Sequence, residues 1–91
     1  MKTVTIQIGN SDDKLSQQSW ADYVSDVHRF LYGQTIHFSG GSESDKPWQN
    51  YCWVIECDDF YVSIMEGGLN KLRTFHKQDS IAFTVGDTKF I

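Results

Sequence analysis

Asp58-Asp59-Phe60-Tyr61-Val62-Ser63-Ile64-Met65-Glu66-Gly67-Gly68-Leu69-Asn70-Lys71-Leu72-Arg73-Thr74-Phe75-His76-Lys77 is the stretch on which the fold turns. From Phe60 to Met65 its β-branched and aromatic content suits a strand. Val62, Met65, Leu69, Leu72 and Phe75 recur at helical spacing instead. As a strand, Phe60 to Met65 pairs in a hairpin with the segment before it. As a helix, the stretch is a crossover between two strands. Gly67 and Gly68 weaken a helix interior by roughly 1 kcal/mol each. We read a second helix, clearest from Leu69 to Lys77, and keep the hairpin as the alternative topology.

The rest of the chain reads more simply. Val4, Ile6 and Ile8 alternate with Thr3, Thr5 and Gln7, the period of a strand with one apolar face. Ser16 reads as an N-cap, with Leu15 and Trp20 spaced as a hydrophobic staple. Trp20, Tyr23, Val24, Val27, Phe30 and Leu31 then form a helical stripe, and Gly33 reads as the C′ residue. Thr35 to Phe38 and Tyr51 to Glu56 are the second and third strands. Ile81 to Val85 is the fourth, and Gly86-Asp87 is expected to turn toward a short terminal strand ending at Ile91. The order is strand, helix, strand, strand, helix, strand. It predicts one α+β domain over residues 1–91, a ferredoxin-like βαββαβ split sandwich with an antiparallel sheet and two helices on one face.

That topology brings three polar stretches to one rim. They are Gly9 to Lys14, Lys46 to Asn50 and Lys77 to Ser80. The first helix starts there too, with its free N–H groups and positive dipole end. The candidate ligand-binding residues are Asn10, Ser11, Asp12, Asp13, Lys14, Lys46, Trp48, Gln49, Asn50, Gln78 and Asp79. The amides can donate and accept, Trp48 and Tyr51 can stack on a flat ring, and the lysines can meet an anion. Asp12, Asp13, Asp45 and Asp79 oppose a bare phosphate. These residue types also build ordinary turns and caps, so each stretch has a structural reading beside the binding one.

A net charge of −4 with scattered Lys and Arg argues against non-specific nucleic-acid binding. No apolar run approaches the roughly 20 residues needed to span a bilayer, and Met1-Lys2-Thr3-Val4 opens a strand rather than a leader, so no membrane association is expected and the location read is cytoplasmic. Cys52 and Cys57 read as small hydrophobes in a reducing compartment. His28, His37 and His76 lack metal-pair spacing, and no phosphate loop or nucleophile elbow occurs. No cofactor, metal site or catalytic residue is expected. Tyr51, Trp53 and Ile55 share one face of the third strand. Turned outward, they would make a dimer surface or a stacking platform.

Thr5 to Leu15, Pro47 to Trp53 and Gln78 to Ala82 carry a resemblance across most of the chain. They resemble segments of a family of small uncharacterised proteins of bacteria, bacteriophages and mobile elements, from which no activity or site transfers. The resemblance implies, by analogy with phage-borne small proteins, a counter-defence factor. The combined reading is a non-enzymatic binding protein. Its partner is a small polar, nucleotide-like ligand or a host defence protein, with a homodimer as a further partner. The alternatives are a small metal-assisted hydrolase using Asp12, Asp13 and Asp79, and a structural dimerisation module.

Overall fold

A computed structural model describes residues 1–43 and 48–91. Its elements run β1 (Lys2–Gly9), α1 (Gln17–Phe30), β2 (Thr35–Gly41), β3 (Asn50–Cys57), α2 (Val62–Phe75) and β4 (Ala82–Asp87). The sheet order is β2-β3-β1-β4, and every neighbouring pair is antiparallel. This is the ferredoxin-like arrangement. The strand before each helix and the strand after it are not hydrogen-bonded to each other. Each helix is therefore a crossover lying on the sheet rather than a hairpin link.

The stretch from Phe60 to Met65 is helical in its greater part. A 3-10 turn over Asp59–Tyr61 leads into α2, so the hairpin topology is set aside. Met65 and Leu69 of α2 are fully buried, while Val62 and Leu72 pack against the core's edge. Phe75, the last member of the predicted stripe, is 75% exposed. It lies at the helix terminus, past the sheet, and meets His76 edge-on at 5.1 Å between ring centroids. The glycine pair has a packing reason on one side only. A Cβ on Gly68 would come within 2.2 Å of the Phe30 ring, whereas one on Gly67 would meet nothing within 4 Å. Gly68 is where α1 and α2 approach closely.

The alternation of β1 holds: Val4, Ile6 and Ile8 are buried beneath the helices with Tyr23, Val27 and Leu31 of α1. Burying each large apolar side chain stabilises by roughly 1.5–3 kcal/mol, so this layer dominates the fold's stability. Ser16 caps α1 by accepting from the Ser19 N–H at 3.1 Å. Gly33 takes φ +97° two residues beyond the cap residue Leu31, one position later than expected. On β3, Trp53 and Ile55 are buried and Tyr51 leans on Trp53 at 4.6 Å, so the aromatic set faces the helices. The outward-facing condition for an aromatic dimer surface or stacking platform on β3 is therefore not met. Cys52 and Cys57 are five apart and fall on opposite sheet faces, Cys57 buried and Cys52 half-buried, both free thiols. Burial, with the Asp58 and Asp59 carboxylates, pushes the Cys57 thiol up. β4 reaches Asp87, and residues 88–91 form no strand. No described helix is long and apolar enough to cross a membrane.

Candidate functional site

The loop after β1, the end of the β2–β3 loop and the loop after α2 do meet at one end of the sheet. Asn10 holds the junction. Its Oδ1 accepts the Leu15 N–H at 2.9 Å, and its Nδ2 donates to the Leu15 carbonyl at 2.9 Å and to Gln49 Oε1 at 2.7 Å. The Asn10 N–H also donates to the Gln49 carbonyl at 3.1 Å. The side chain thus fills the turn of its own loop and ties that loop to the strand-three approach.

Gln78 does the same for the third loop. It is only 3% exposed, accepts the Ser11 N–H at 2.8 Å and donates to the His76 carbonyl at 3.1 Å. A buried carboxamide with its groups satisfied is a structural member. Lys14 pairs with Asp79 at 3.0 Å, and Gln49 donates to Gln17 at 3.0 Å. Asn10, Lys14, Gln49, Gln78 and Asp79, expected to face a ligand, are therefore engaged with one another or with the scaffold.

The chain is strained where the loops turn. Asp12, Asp13 and Lys77 hold φ of 52°, 54° and 57°, and these are the positive-φ non-glycine residues among those described. Aspartate tolerates this region better than most residues. Lys77 follows α2 as the C′ residue of a Schellman motif, with Gln78 N–H on the Arg73 carbonyl and Lys77 N–H on the Thr74 carbonyl, both at 3.0 Å. Asp12 and Asp13 are exposed, and Asp13 takes only a 3.3 Å contact from Asn10. Lys46 lies outside the described residues.

Beside these ties lies a concave surface of about 400 Å³ at the top of the sheet face turned away from the helices. Its floor is Ala82, Gln7 and Cys52, which sit directly opposite one another across β4, β1 and β3. They point away from the core because their neighbours Phe83, Ile6 and Trp53 point into it. Its walls come from all three loops: Asn10 and Ser11, Trp48 to Asn50, and Ser80. Trp48 lines it and is 59% exposed, so much of its indole is uncovered. The side chains of Gln7, Asn50 and Ser80 are exposed and make no described side-chain hydrogen bond. Their donors and acceptors are not engaged by other side chains among the described residues.

Gln7, Ser80, Cys52 and Ala82 were not among the predicted site residues. Gln7 occupies the polar phase of β1, and only the β1–β3 register places Cys52 opposite it. Asp12 and Asp13 follow the lining residue Ser11 in the chain, and Asp79 precedes the lining residue Ser80. Asp12 and Asp13 have no described cation partner, and Asp79 already neutralises Lys14. Among the described residues, no three His, Cys, Asp or Glu side chains gather as a metal-binding set.

A second cluster joins the helices. His76 Nε2 meets Asp26 Oδ2 at 2.8 Å, and the His76 ring stacks on Tyr23 at 4.6 Å. The His76 hydrogen bond, helped by Arg29, holds the Asp26 carboxyl below the usual range against the opposing effect of burial. The Tyr23 hydroxyl is buried without a partner among the described residues, and burial pushes its pKa up to about 12.

No protein-family model matches this chain. No curated protein matches it either. Among solved structures, the chain is similar in fold to a formyltetrahydrofolate deformylase from Pseudomonas putida KT2440, with a TM-score of 0.54 and 15% identity. The match covers 96% of the present chain and 28% of that one. The likeness concerns the arrangement of strands and helices.

Proposed function

We infer that this is a non-enzymatic binding protein that holds a small polar ligand with a flat ring on the concave surface beneath Trp48. The observation that carries the reading is the division of labour at the rim. Asn10, Gln78 and the Lys14–Asp79 pair keep the walls in place, while the open Trp48 face and the carboxamides of Gln7 and Asn50 stand free around one floor. Pre-placed walls reduce the ordering cost of binding, and an exposed indole gives a stacking face. The sequence likeness to phage-type small proteins suggests the setting: sequestration of a small host molecule as a counter-defence measure.

Cys52 supplies the test, because it lies on the floor while Cys57 is buried and serves as an internal control. A panel of nucleobases, nucleosides and nucleotides is screened for slowed alkylation of Cys52 by iodoacetamide, read by mass spectrometry. At least one member should protect Cys52, and Trp48→Ala should abolish that protection with folding intact. Absence of protection by every member rejects the reading. A second reading, inhibition of a host protein, draws on the exposed Asp12 and Asp13. A partner retained by the wild type and released by Asp12→Asn with Asp13→Asn would favour it.

A further inference from the structure

We propose that two copies of this chain join through the outer edge of β4, about a twofold axis, so that their sheets run on as one. The ligand surface described above lies on the other face of the sheet, and the two sites are independent.

The backbone of β4 leaves a row of groups unspent. Among the described strands, β4 ends the sheet and has β1 as its one neighbour. Thr88 N–H donates to the Met1 carbonyl at 3.4 Å, and Asn10 N–H to the Gln49 carbonyl at 3.1 Å. Continued along the two registers, these bonds turn Thr3, Thr5 and Gln7 of β1 toward β4, and Val4, Ile6 and Ile8 toward β3. Gly86, Thr84 and Ala82 are therefore the residues bonded to β1. Phe83, Val85 and Asp87 point their N–H and C=O groups outward, where no described group meets them. The opposite edge is better protected. β2 slips register between Ile36 and Phe38, and His37 there meets Glu56 at 2.7 Å. Bulges and charges of this kind blunt an edge strand. β4 keeps an unbroken register, has no proline and carries its one charge, Asp87, at its end.

The side chains point to the strand that fits. Phe83 and Val85 lie opposite Ile6 and Val4 and so face the helix layer, beside a groove of about 450 Å³ between β4 and α2. Val85 is 40% exposed there. Arg73 stands at one end of the groove. It donates to Asn70 Oδ1 at 2.8 Å and to the Gln78 carbonyl at 2.9 Å, and it has no carboxylate partner among the described residues. An antiparallel strand laid on this edge should offer apolar side chains at alternate positions and then an acid toward Arg73. Phe83, Val85 and Asp87 of β4 are such a series. Centred on Thr84, the pairing sets Phe83 opposite the partner's Val85 twice over, with the free groups of both strands in phase. It also brings the partner's Asp87 level with Ile81, which lines the groove together with Arg73. Asp87 binds Lys2 of its own chain through Oδ1, which leaves Oδ2 to face the guanidinium charge. Gly67 gives the second α2 room to approach, since a Cβ there meets nothing within 4 Å. Glu66 is exposed on the same wall and opposes the approach, with water open to its carboxylate.

Six residues make an edge about 20 Å long by the strand rise. Such a contact is small, and its Kd is expected on the order of micromolar. Sedimentation velocity of the full chain between about 1 and 500 μM measures it, and amide exchange followed by NMR at both ends of that range locates it. The mass should double. Exchange at Phe83 and Val85 should slow about tenfold, while Thr84 and Gly86, already bonded to β1, stay unchanged. Val85→Lys should return the protein to the monomer. So should Gly67→Gln, although glutamine favours the helix and should raise the unfolding midpoint, which separates a lost contact from a lost fold. A chain that stays monomeric across the range overturns the proposal. So does a dimer whose Phe83 and Val85 amides remain fast, or one that Val85→Lys leaves intact. Growth beyond two subunits overturns it as well, because one twofold pairing uses up both edges.

Discussion

Replacing Asn10 by alanine should destabilise the whole domain, although the residue sits on a loop. The substitution deletes the 2.9 Å bond from Leu15 N–H, the 2.9 Å bond to the Leu15 carbonyl and the 2.7 Å bond to Gln49 Oε1. Each is half-buried, and a hydrogen bond of this kind contributes about 1 kcal/mol net. Water can reach part of the vacated turn, which reduces the cost of the orphaned Leu15 groups. We therefore expect a loss of about 2–3 kcal/mol. For a domain this small, that corresponds to a fall in Tm of roughly 10–20 °C. Urea denaturation followed by far-UV circular dichroism measures it, with the m-value checked for constancy. A cycle with Gln49→Ala isolates the bond between the two loops and should give a coupling of about 1 kcal/mol. Asn10→Asp is the sharper variant. It keeps an acceptor for Leu15 N–H but turns a carboxylate toward the Leu15 carbonyl, Gln49 Oε1 and Asp13, so at neutral pH it should be no better than alanine. A loss below about 0.5 kcal/mol, with no coupling to Gln49, would refute the idea that this side chain holds the rim together.

Three further outcomes follow from the packing between the layers. Gly67→Ala should stabilise by about 0.5–1 kcal/mol through helix propensity, whereas Gly68→Ala, whose Cβ would meet Phe30 at 2.2 Å, should destabilise, and Phe30→Leu should relieve it; thermal unfolding of the four proteins decides. Tyr23→Phe should be neutral or stabilising by up to about 1 kcal/mol, because it removes a buried hydroxyl that has no partner; a clear loss in urea denaturation would contradict this. The Asp26 carboxyl is held down mainly by its hydrogen bond to His76, so the stability it contributes is present above its unfolded value near pH 4 and is lost as pH falls through its lower folded value. Asp26→Asn should flatten that acid limb of the stability curve, and an unchanged limb would assign it to other groups.

How much of this was legible in the sequence depended on whether a residue's role is set by its own periodicity or by its partner's position. The phase of β1 was readable because Val4, Ile6 and Ile8 alternate without exception, and the rim followed from strand directions alone. The face of β3 was not, because Tyr51, Trp53 and Ile55 compete with Cys52 and Val54 for the core, and only the pairing of Trp53 with Ile6 and of Tyr51 with Ile8 turns that set inward. Gly68 looked like a helix defect until the Phe30 ring supplied its reason. The rim residues posed a deeper ambiguity. An asparagine that grips its own loop and one that grips a ligand have identical chemistry, and turn propensity favours both equally. What separates Asn10 from Asn50, or Gln78 from Gln7, is whether other groups of the fold have arrived to satisfy the amide: Leu15 and the Gln49 side chain for Asn10, the Ser11 N–H and the His76 carbonyl for Gln78. That arrival is a matter of register and loop length, which no local pattern encodes. The proposed recognition surface is consequently made of residues left over when the folding partners have been assigned, and it can be located only after the fold's own hydrogen bonds have been traced.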